Sequence, residues 1–325
     1  MPLISVIIPL YNSEKTIRET LESVLQQTFS DFEIIAVNDD SKDSTLDILA
    51  TIKDPRLKVF SYPNRGLTVN RNRGLALAQG EFIAFLDHDD LWTADKLELQ
   101  LKALQENPQA AVAYSWVDLI DESSQFIRSC PHFKDRRNVY ERVLTDFIVV
   151  AISNPLIRKS ALEKVGYLDE SLFGPDDLDL FLRLAEHFEF EVVEKTQFLY
   201  RITNGSVSAS VVRQARETLK VIESACQRYP ESTQHLQKNL ITNVYMHGAF
   251  RALDAANGRQ NGIASAKCLW EAMKNDPSVL RRGGIGIALC KIAALLILPS
   301  GMYPKLINQV KQVKKSMNPK NKTQR

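Results

Sequence analysis

The chain has 325 residues, 44% hydrophobic and 25% charged, which supports a full buried core in one large or two modest domains and excludes a mainly disordered protein. The formal net charge of +2 hides a division: residues 277–325 hold ten Lys and Arg and no Asp or Glu, leaving 31 basic against 39 acidic groups before them. A basic tail on an acidic body suits anionic lipid, nucleic acid or plain water.

Residues 4–8 form a β-branched run that Pro9 should stop. After Tyr11-Asn12 a helical pattern follows, with Ile17, Leu21, Val24 and Leu25 on one face. Residues 32–37 read as a second strand, ending in the polar loop 38–43. Ser44 and Asp47 then stand at capping-box spacing, so a helix should start there. Residues 57–62 read as a strand and 67–78 as a helix stopped by Gly80. The fourth strand, 82–86, is almost wholly apolar, as a strand buried on both faces should be. It runs into Asp87-His88-Asp89-Asp90, after which Leu97, Leu101 and Leu104 mark a helix ended by Pro108. This order predicts an α/β protein with a doubly wound, mostly parallel sheet. Ligands in such sheets bind at the carboxyl ends of the strands, where both polar clusters fall.

Residues 110–200 are mixed. Ser160 and Glu163 make a second capping box with Gly166 as a stop, and Gly174-Pro175-Asp176-Asp177 precedes a helix with Leu180, Phe181 and Leu184 inward. Residues 190–200 read as a strand. Long helical patterns cover 215–229, 234–255 and 263–274. An apolar stretch at 283–298, broken only by Lys291, leads into the basic tail.

Three clusters could carry chemistry. In Asp87-His88-Asp89-Asp90 three carboxylates repel one another unless cations or water screen them. Hard carboxylate oxygens suit Mg²⁺ or Mn²⁺ shared with a diphosphate, although a solvated acidic loop could equally cap the next helix. In Asp176-Asp177 one carboxylate can have a raised pKa and act as a base, or both can merely cap a helix. Arg71-Asn72-Arg73, at a helix start, could meet a diphosphate or form a solvated face.

Taken in order, six stretches resemble the family 2 glycosyltransferases. They are Ser5-Val6-Ile7-Ile8-Pro9-Leu10-Tyr11-Asn12, Val37-Asn38-Asp39-Asp40-Ser41-Lys42-Asp43-Ser44-Thr45, Arg71-Asn72-Arg73-Gly74-Leu75, Gly80 through the acidic cluster to Trp92, Asp176-Asp177-Leu178 to Leu184, and Tyr200-Arg201 followed by Ser206-Val207-Ser208. Each is weak alone; the ordered set is specific. The resemblance implies the glycosyltransferase A fold, with a Rossmann-like, mostly parallel central sheet, followed by a helical C-terminal region. It covers a catalytic domain at 1–210 and fades beyond it; the residue pattern itself reads 211–280 as a helical extension and 281–325 as an apolar helix with a basic tail.

It also implies roles. Pro9, Tyr11, Asn12, Asp39, Arg71, Asp87, His88 and Arg201 would bind the nucleotide-sugar donor, with UDP favoured. Asp39 would accept from a base ring N–H, and Arg71 would face the diphosphate. Asp87 and Asp89 would hold Mn²⁺ or Mg²⁺, Asp89 being the direct ligand. Asp177 would be the general base of an inverting transfer to a carbohydrate or lipid-linked acceptor in cell-surface polysaccharide or glycolipid synthesis. This sequence departs from the family pattern at three positions: Asp40 stands where Gly is usual, Asp176 is one methylene short of the commoner Glu, and Thr203 replaces a frequent His.

The apolar stretch leaves three arrangements open: lying in an anionic membrane surface, packing on the catalytic domain or a partner, or spanning. Sixteen residues with a central Lys291 are short for a span. The N-terminus has no basic, apolar leader pattern, and the four cysteines form no CxxC or zinc spacing. These features predict a cytoplasmic protein with free buried thiols, peripheral on the inner face of the plasma membrane if the basic end docks there. No nucleic-acid partner is expected, because the tail lacks interleaved aromatics. No Gly-rich phosphate loop follows the first strand, which argues against a nucleotidyltransferase or a dinucleotide-binding dehydrogenase.

Overall fold

The computed structural model describes residues 1–172, 174–202, 207–228, 236–254 and 258–298. They fall into two compact units, 1–202 with 221–228, and 207–220 with 236–298. The expected role of Thr203 and the tail beyond 298 lie outside the described residues.

The first unit opens with β1 (Ile4–Leu10), α1 (Ile17–Leu25), β2 (Phe32–Asn38), α2 (Thr45–Thr51), β3 (Leu57–Ser61), α3 (Leu67–Leu77) and β4 (Phe82–Phe85). Then come β5 (Leu91–Trp92), α4 (Lys96–Glu106), β6 (Ala110–Ile120), β7 (Phe126–Ser129) and α5 (Tyr140–Asp146). Next are β8 (Leu156–Arg158), α6 (Lys159–Val165), α7 (Asp176–His187) and β9 (Glu189–Arg201). The strands form one sheet in the order β3-β2-β1-β4-β8-β6-β9-β5, with β7 on β6. β1 to β4 pair in parallel, as the alternating strands and helices require. Beyond them the sheet is mixed. β8 joins β4 and β6 antiparallel, while β6 and β9 run parallel to each other.

Every residue of β1, β2 and β4 is buried, which is why these strands read as largely apolar runs, with Ser5 and Glu33 satisfying each other at 2.7 Å across β1 and β2. β1 continues through Pro9 rather than stopping at it. The Ile7 carbonyl accepts from Leu86 on the β4 side, and Pro9 faces that side two residues on, where the β4 ladder has already ended at Phe85. Its missing N–H therefore costs no ladder bond there. The capping expected of Ser44 is supplied by neighbours instead. Its side chain makes no cap bond; the Asp43 carboxylate accepts from Thr45 N at 3.0 Å and Glu14 from Ser44 N at 3.0 Å. At Gly166, φ is 85°, the left-handed stop read for α6.

The division between units falls within α8 (Val207–Arg228). The second unit continues with α9 (Gln237–Asp254), α10 (Arg259–Asn275), a 3₁₀ turn at Pro277–Arg281 and α11 (Ile285–Ile297). Its core joins Ala252, Cys268, Leu269, Val279, Ile285, Ala288, Ile292 and Leu295. Gly262 lets α10 and α11 meet, since a β-carbon there would lie 2.9 Å from Leu295 Cβ. The apolar stretch thus packs by one side. At 13 residues α11 is about 20 Å long, short of the ~30 Å hydrocarbon layer. Among the described residues no helix is long and apolar enough to cross a membrane. Of the four cysteines only Cys226 and Cys268 are buried. Cys130 is half-buried and Cys290 is exposed on the outer side of α11, so the expectation of four buried thiols fails there.

Candidate active site

The loops leaving β1 and β2 are latched together. Asp39 N donates to Leu10 O at 2.8 Å. Asn12, at φ 49°, takes a bond from Lys42 N to its side-chain oxygen and gives its own N–H to Ser41 Oγ. Asp40 has φ 64°, the left-handed conformation implied by the family's glycine, which Asp adopts more cheaply than most residues. Tyr11 is 50% exposed beside this latch. Pro9 is buried within β1 opposite Val37 and shapes the strand end from inside. Beside the ends of β2 and β3 lies a cavity of about 390 Å³ bounded by Asn38, Asp40, Ser61, Tyr62 and Pro63.

Asp39 is buried, and its carboxylate is largely occupied. It accepts from Arg65 N at 3.0 Å, Gly66 N at 2.8 Å and Arg73 Nη1 at 3.1 Å. Oδ1 takes two of these donors and Oδ2 one, so Oδ2 retains a lone pair for a ligand N–H. The Arg65 and Gly66 amides leading into α3 are thus spent on Asp39.

The three residues of Arg71-Asn72-Arg73 act separately because they lie on different sides of α3. Arg73 turns to Asp39, to Pro63 O and over the Tyr62 ring at 4.7 Å. Asn72 pins the segment before α7, exchanging hydrogen bonds with the Leu168 backbone at 2.9 and 3.2 Å. Arg71, 4% exposed, reaches inward. Its Nη2 meets both oxygens of Asp87 at 2.7 and 2.8 Å, and its Nη1 meets Asp176 Oδ2 at 3.1 Å. Its Nε–H is buried without a hydrogen-bond partner among the described residues. An unsatisfied buried donor on a cation is costly unless an anionic oxygen arrives, so this atom fits a phosphate.

The acidic cluster resolves into three different carboxyls. Asp87 is neutralised by Arg71. Asp90 is fully buried, and burial together with Asp89 and Asp87 pushes its pKa well up, favouring the neutral acid. Asp89 is pushed up by burial, with Asp87 adding to the rise and His88 opposing it. No side chain of another residue hydrogen-bonds to its carboxylate among the described residues. A lone half-buried carboxylate beside another fits a hard divalent cation completed by phosphate and water oxygens. Among the described residues no group of three or more His, Cys, Asp or Glu gathers to hold a metal unaided. His88 turns away toward α1, its Nδ1 3.3 Å from Thr16 Oγ1.

Arg201 was expected at the donor. Its guanidinium is instead taken up by the protein: Nε donates to Asp89 O at 2.6 Å, Nη1 to Ser124 Oγ at 2.9 Å and Nη2 to Glu19 Oε2 at 2.8 Å. Its backbone N–H donates to Asp90 Oδ1 at 3.0 Å. Arg201 therefore sets the acidic loop from beneath.

Asp177 is the second residue of α7, after Asp176, half-buried, with Oδ1 accepting from Leu178 N at 2.8 Å. Burial raises its pKa to about 7, and the Asp176 charge adds to the rise while Arg71 restrains it. That is the range a general base needs at neutral pH.

Three contributors escaped sequence reasoning. Thr68 donates to Asp176 Oδ2 at 3.0 Å; its i, i+3 spacing from Arg71 on one helix was a readable signal. Ser153 Oγ accepts from Asp87 N at 3.0 Å, and Glu19 holds Arg201. Neither stands in a motif, and both are brought in by long-range packing.

With this geometry in hand, comparison with known proteins decides the class. Residues 5–252 match the glycosyltransferase-like family 2. The chain belongs to that family. This family 2 glycosyltransferase is 33% identical over 208 residues to an uncharacterized glycosyltransferase of Rickettsia typhi, covering 60% of this chain and 64% of that protein. It thus spans a little under two thirds of that relative's length. It is 32% identical over 222 residues to the putative teichuronic acid biosynthesis glycosyltransferase TuaG of Bacillus subtilis, covering 67% of this chain and 86% of TuaG. Among solved structures, residues 1–349 of S. aureus TarS with UDP-GlcNAc match with a TM-score of 0.56 at 20% identity, over 86% of this chain and 92% of that one. The mannosyltransferase PcManGT from Pyrobaculum calidifontis, with GDP-Man and Mn²⁺, matches with a TM-score of 0.57 at 18% identity, over 99% and 88%. These two likenesses establish the fold, which is the glycosyltransferase A type.

Proposed function

We propose that this glycosyltransferase moves a sugar from a nucleoside-diphosphate sugar, with UDP favoured, to a hydroxyl of a carbohydrate or lipid-linked acceptor, inverting the anomeric centre. The observation that carries this reading is the bridge Asp87–Arg71–Asp176, with an Arg71 Nε–H unpartnered among the described residues and Asp177, whose pKa is raised to about 7, next to Asp176 in the chain. Residues 1–210 form the catalytic part. The name of TuaG, a putative teichuronic acid biosynthesis glycosyltransferase, favours cell-surface polysaccharide or glycolipid synthesis.

In this reading Tyr11, the Asn12 latch and the free lone pair of Asp39 receive the base and ribose. Arg71 gives its Nε–H to the diphosphate while Asp87 and Asp176 hold its plane. Asp89, with Asp87, would hold Mn²⁺ or Mg²⁺, which when bound supplies charge stabilisation to the leaving diphosphate. Asp177 takes the acceptor hydroxyl proton as that oxygen attacks the anomeric carbon from the face opposite the leaving group. A lipid-linked acceptor would be met at the cytoplasmic face of a membrane.

Release of nucleoside diphosphate from a panel of nucleotide sugars, with Mn²⁺, Mg²⁺ or EDTA, tests the proposal without an acceptor. Turnover of one donor, lost with EDTA and in Asp89→Ala, is the expected result. Calorimetry showing that no nucleoside diphosphate binds, with or without metal, would sink it.

A further inference from the structure

α11 is apolar on both sides. Ile285, Ala288, Ile292 and Leu295 are buried in the core of the second unit. The opposite side exposes Gly286, Ile287, Leu289, Cys290, Ala293 and Ile297, with no charge among them. Ile287 is 65% and Ile297 79% exposed. At 3.6 residues per turn these six positions cover an arc of about 160°. A helix on the surface of a soluble unit ordinarily turns polar residues outward, so this arc calls for an apolar cover.

The charge around it selects the cover. Arg281 and Arg282 precede α11, Arg282 being paired with Asp276 at 3.1 Å, and residues 299–325 after it hold seven Lys and Arg and no acidic group. In the same unit the exposed stripe of α10 sets Trp270, 56% exposed, beside Lys267 and Lys274, the latter paired with Glu271 at 2.9 Å. A second copy of this chain would bring like charges together, which opposes self-pairing. A short helix with one open apolar face between basic segments suits the boundary of an anionic bilayer, where apolar side chains enter below the headgroups and lysines stay among them.

We propose that the outer face of α11, with the basic segments flanking it, docks this enzyme on an anionic lipid surface. The inference goes beyond the transfer reaction, because donor hydrolysis in solution needs no membrane, and each can fail without the other.

The test is flotation of the full chain with vesicles of phosphatidylcholine alone and of phosphatidylcholine with phosphatidylglycerol. The native chain should float with the anionic vesicles only, and less so at high salt. The double substitution Ile287→Glu, Ile297→Glu should cut that partition by roughly tenfold or more while leaving donor hydrolysis and the thermal transition unchanged. Flotation with neither composition, equal flotation with both, or a variant that floats like the native chain would each overturn the proposal. So would light scattering that shows a dimer dissolved by the variant without any vesicle binding. A readout free of refolding concerns is a polarity-sensitive dye on the exposed Cys290 in a Cys130→Ser background. Its emission should shift to the blue on anionic vesicles alone, and an unchanged spectrum overturns the proposal.

Discussion

Arg71 Nη2 sits 2.7 Å and 2.8 Å from the two oxygens of Asp87, while Nη1 of the same guanidinium lies 3.1 Å from Asp176. Only a planar, forked cation can join two carboxylates this way and keep a further N–H for a third anion. Lysine keeps the charge but loses the fork, so Arg71→Lys should lower kcat/KM by roughly a hundredfold, the equivalent of one or two charged hydrogen bonds. Arg71→Ala leaves buried Asp176 without its counter-ion and should also lose about 3 kcal/mol of stability. Donor-hydrolysis kinetics beside urea unfolding of both variants make the comparison. An Arg71→Lys enzyme with native turnover would show that the fork is dispensable.

The Asp177 carboxyl, raised to about 7 by burial and the Asp176 charge, ties rate and stability to pH in opposite senses. As a base it must be ionised, so kcat/KM for transfer to an acceptor should climb with unit slope and level off above about pH 7. Asp176→Asn removes a neighbouring negative charge, which should move this limb to lower pH. For stability the folded pKa lies above the unfolded one. From about pH 4 to 7 the folded state holds a proton that the unfolded state has shed, and stability falls as pH rises. Asp177→Asn should lose roughly 10²- to 10⁴-fold in rate and gain stability relative to the native chain above pH 7. Thermal unfolding in EDTA across that range reads the second effect. A variant no more stable at pH 8 than the native chain would contradict the raised pKa.

The parallel half of the fold was readable because β1, β2 and β4 are buried on both faces and α1 turns Ile17, Leu21 and Val24 to the core at helical spacing. β6 and β8 were not. β6 runs eleven residues through Tyr114, Ser115, Trp116 and Asp118, and the first three find side-chain partners only far along the chain, at the Asp135 carbonyl, Asn154 and the Phe133 carbonyl. Lys96 hides for a similar reason: it is fully buried, with its ammonium 4.0 Å over the Trp92 ring and 3.2 Å from Gln100, a setting no local pattern announces. At the site, the residue types were legible but not their directions. Arg201 reads as a donor ligand in its motif, yet it points into the loop that carries Asp89.

Gly74 connects core packing to the site. In an ordinary helix Gly→Ala stabilises by about 1 kcal/mol. Here a β-carbon would fall well inside contact distance of Ile7 Cγ2, a branched methyl fixed in buried β1. The methyl has no flexible end to swing away, so α3 must lift from the sheet. Gly74→Ala should therefore cost about 1–3 kcal/mol instead and reduce donor turnover, since Arg71 rides on the same helix. Gly74→Ala combined with Ile7→Val keeps a methyl at the crowded position and should rescue little; Ile7→Ala should restore turnover at the expense of core burial. A Gly74→Ala enzyme more stable than native would refute the packing argument.

The hold of Arg201 on Asp89 is through the backbone, Nε to the carbonyl oxygen at 2.6 Å, and Glu19 and Ser124 fix the guanidinium from behind. With Asp89 in the metal-holding role proposed above, a group that orients its loop without touching the ion should alter affinity more than the rate at saturation. Loss of such supporting contacts commonly costs 10- to 100-fold in metal affinity. Glu19 is about half exposed, so Glu19→Gln, which keeps a hydrogen-bond acceptor, should raise the Mn²⁺ concentration for half-maximal donor hydrolysis only slightly, and Glu19→Ala by several-fold. Arg201→Lys should raise it by roughly tenfold with kcat changed far less. Direct Mn²⁺ binding in the presence of nucleoside diphosphate, followed by electron paramagnetic resonance, separates this from a general loss of fold. If Arg201→Lys lowered kcat alone and bound Mn²⁺ as tightly as the native enzyme, Arg201 would act on the reacting groups rather than through Asp89.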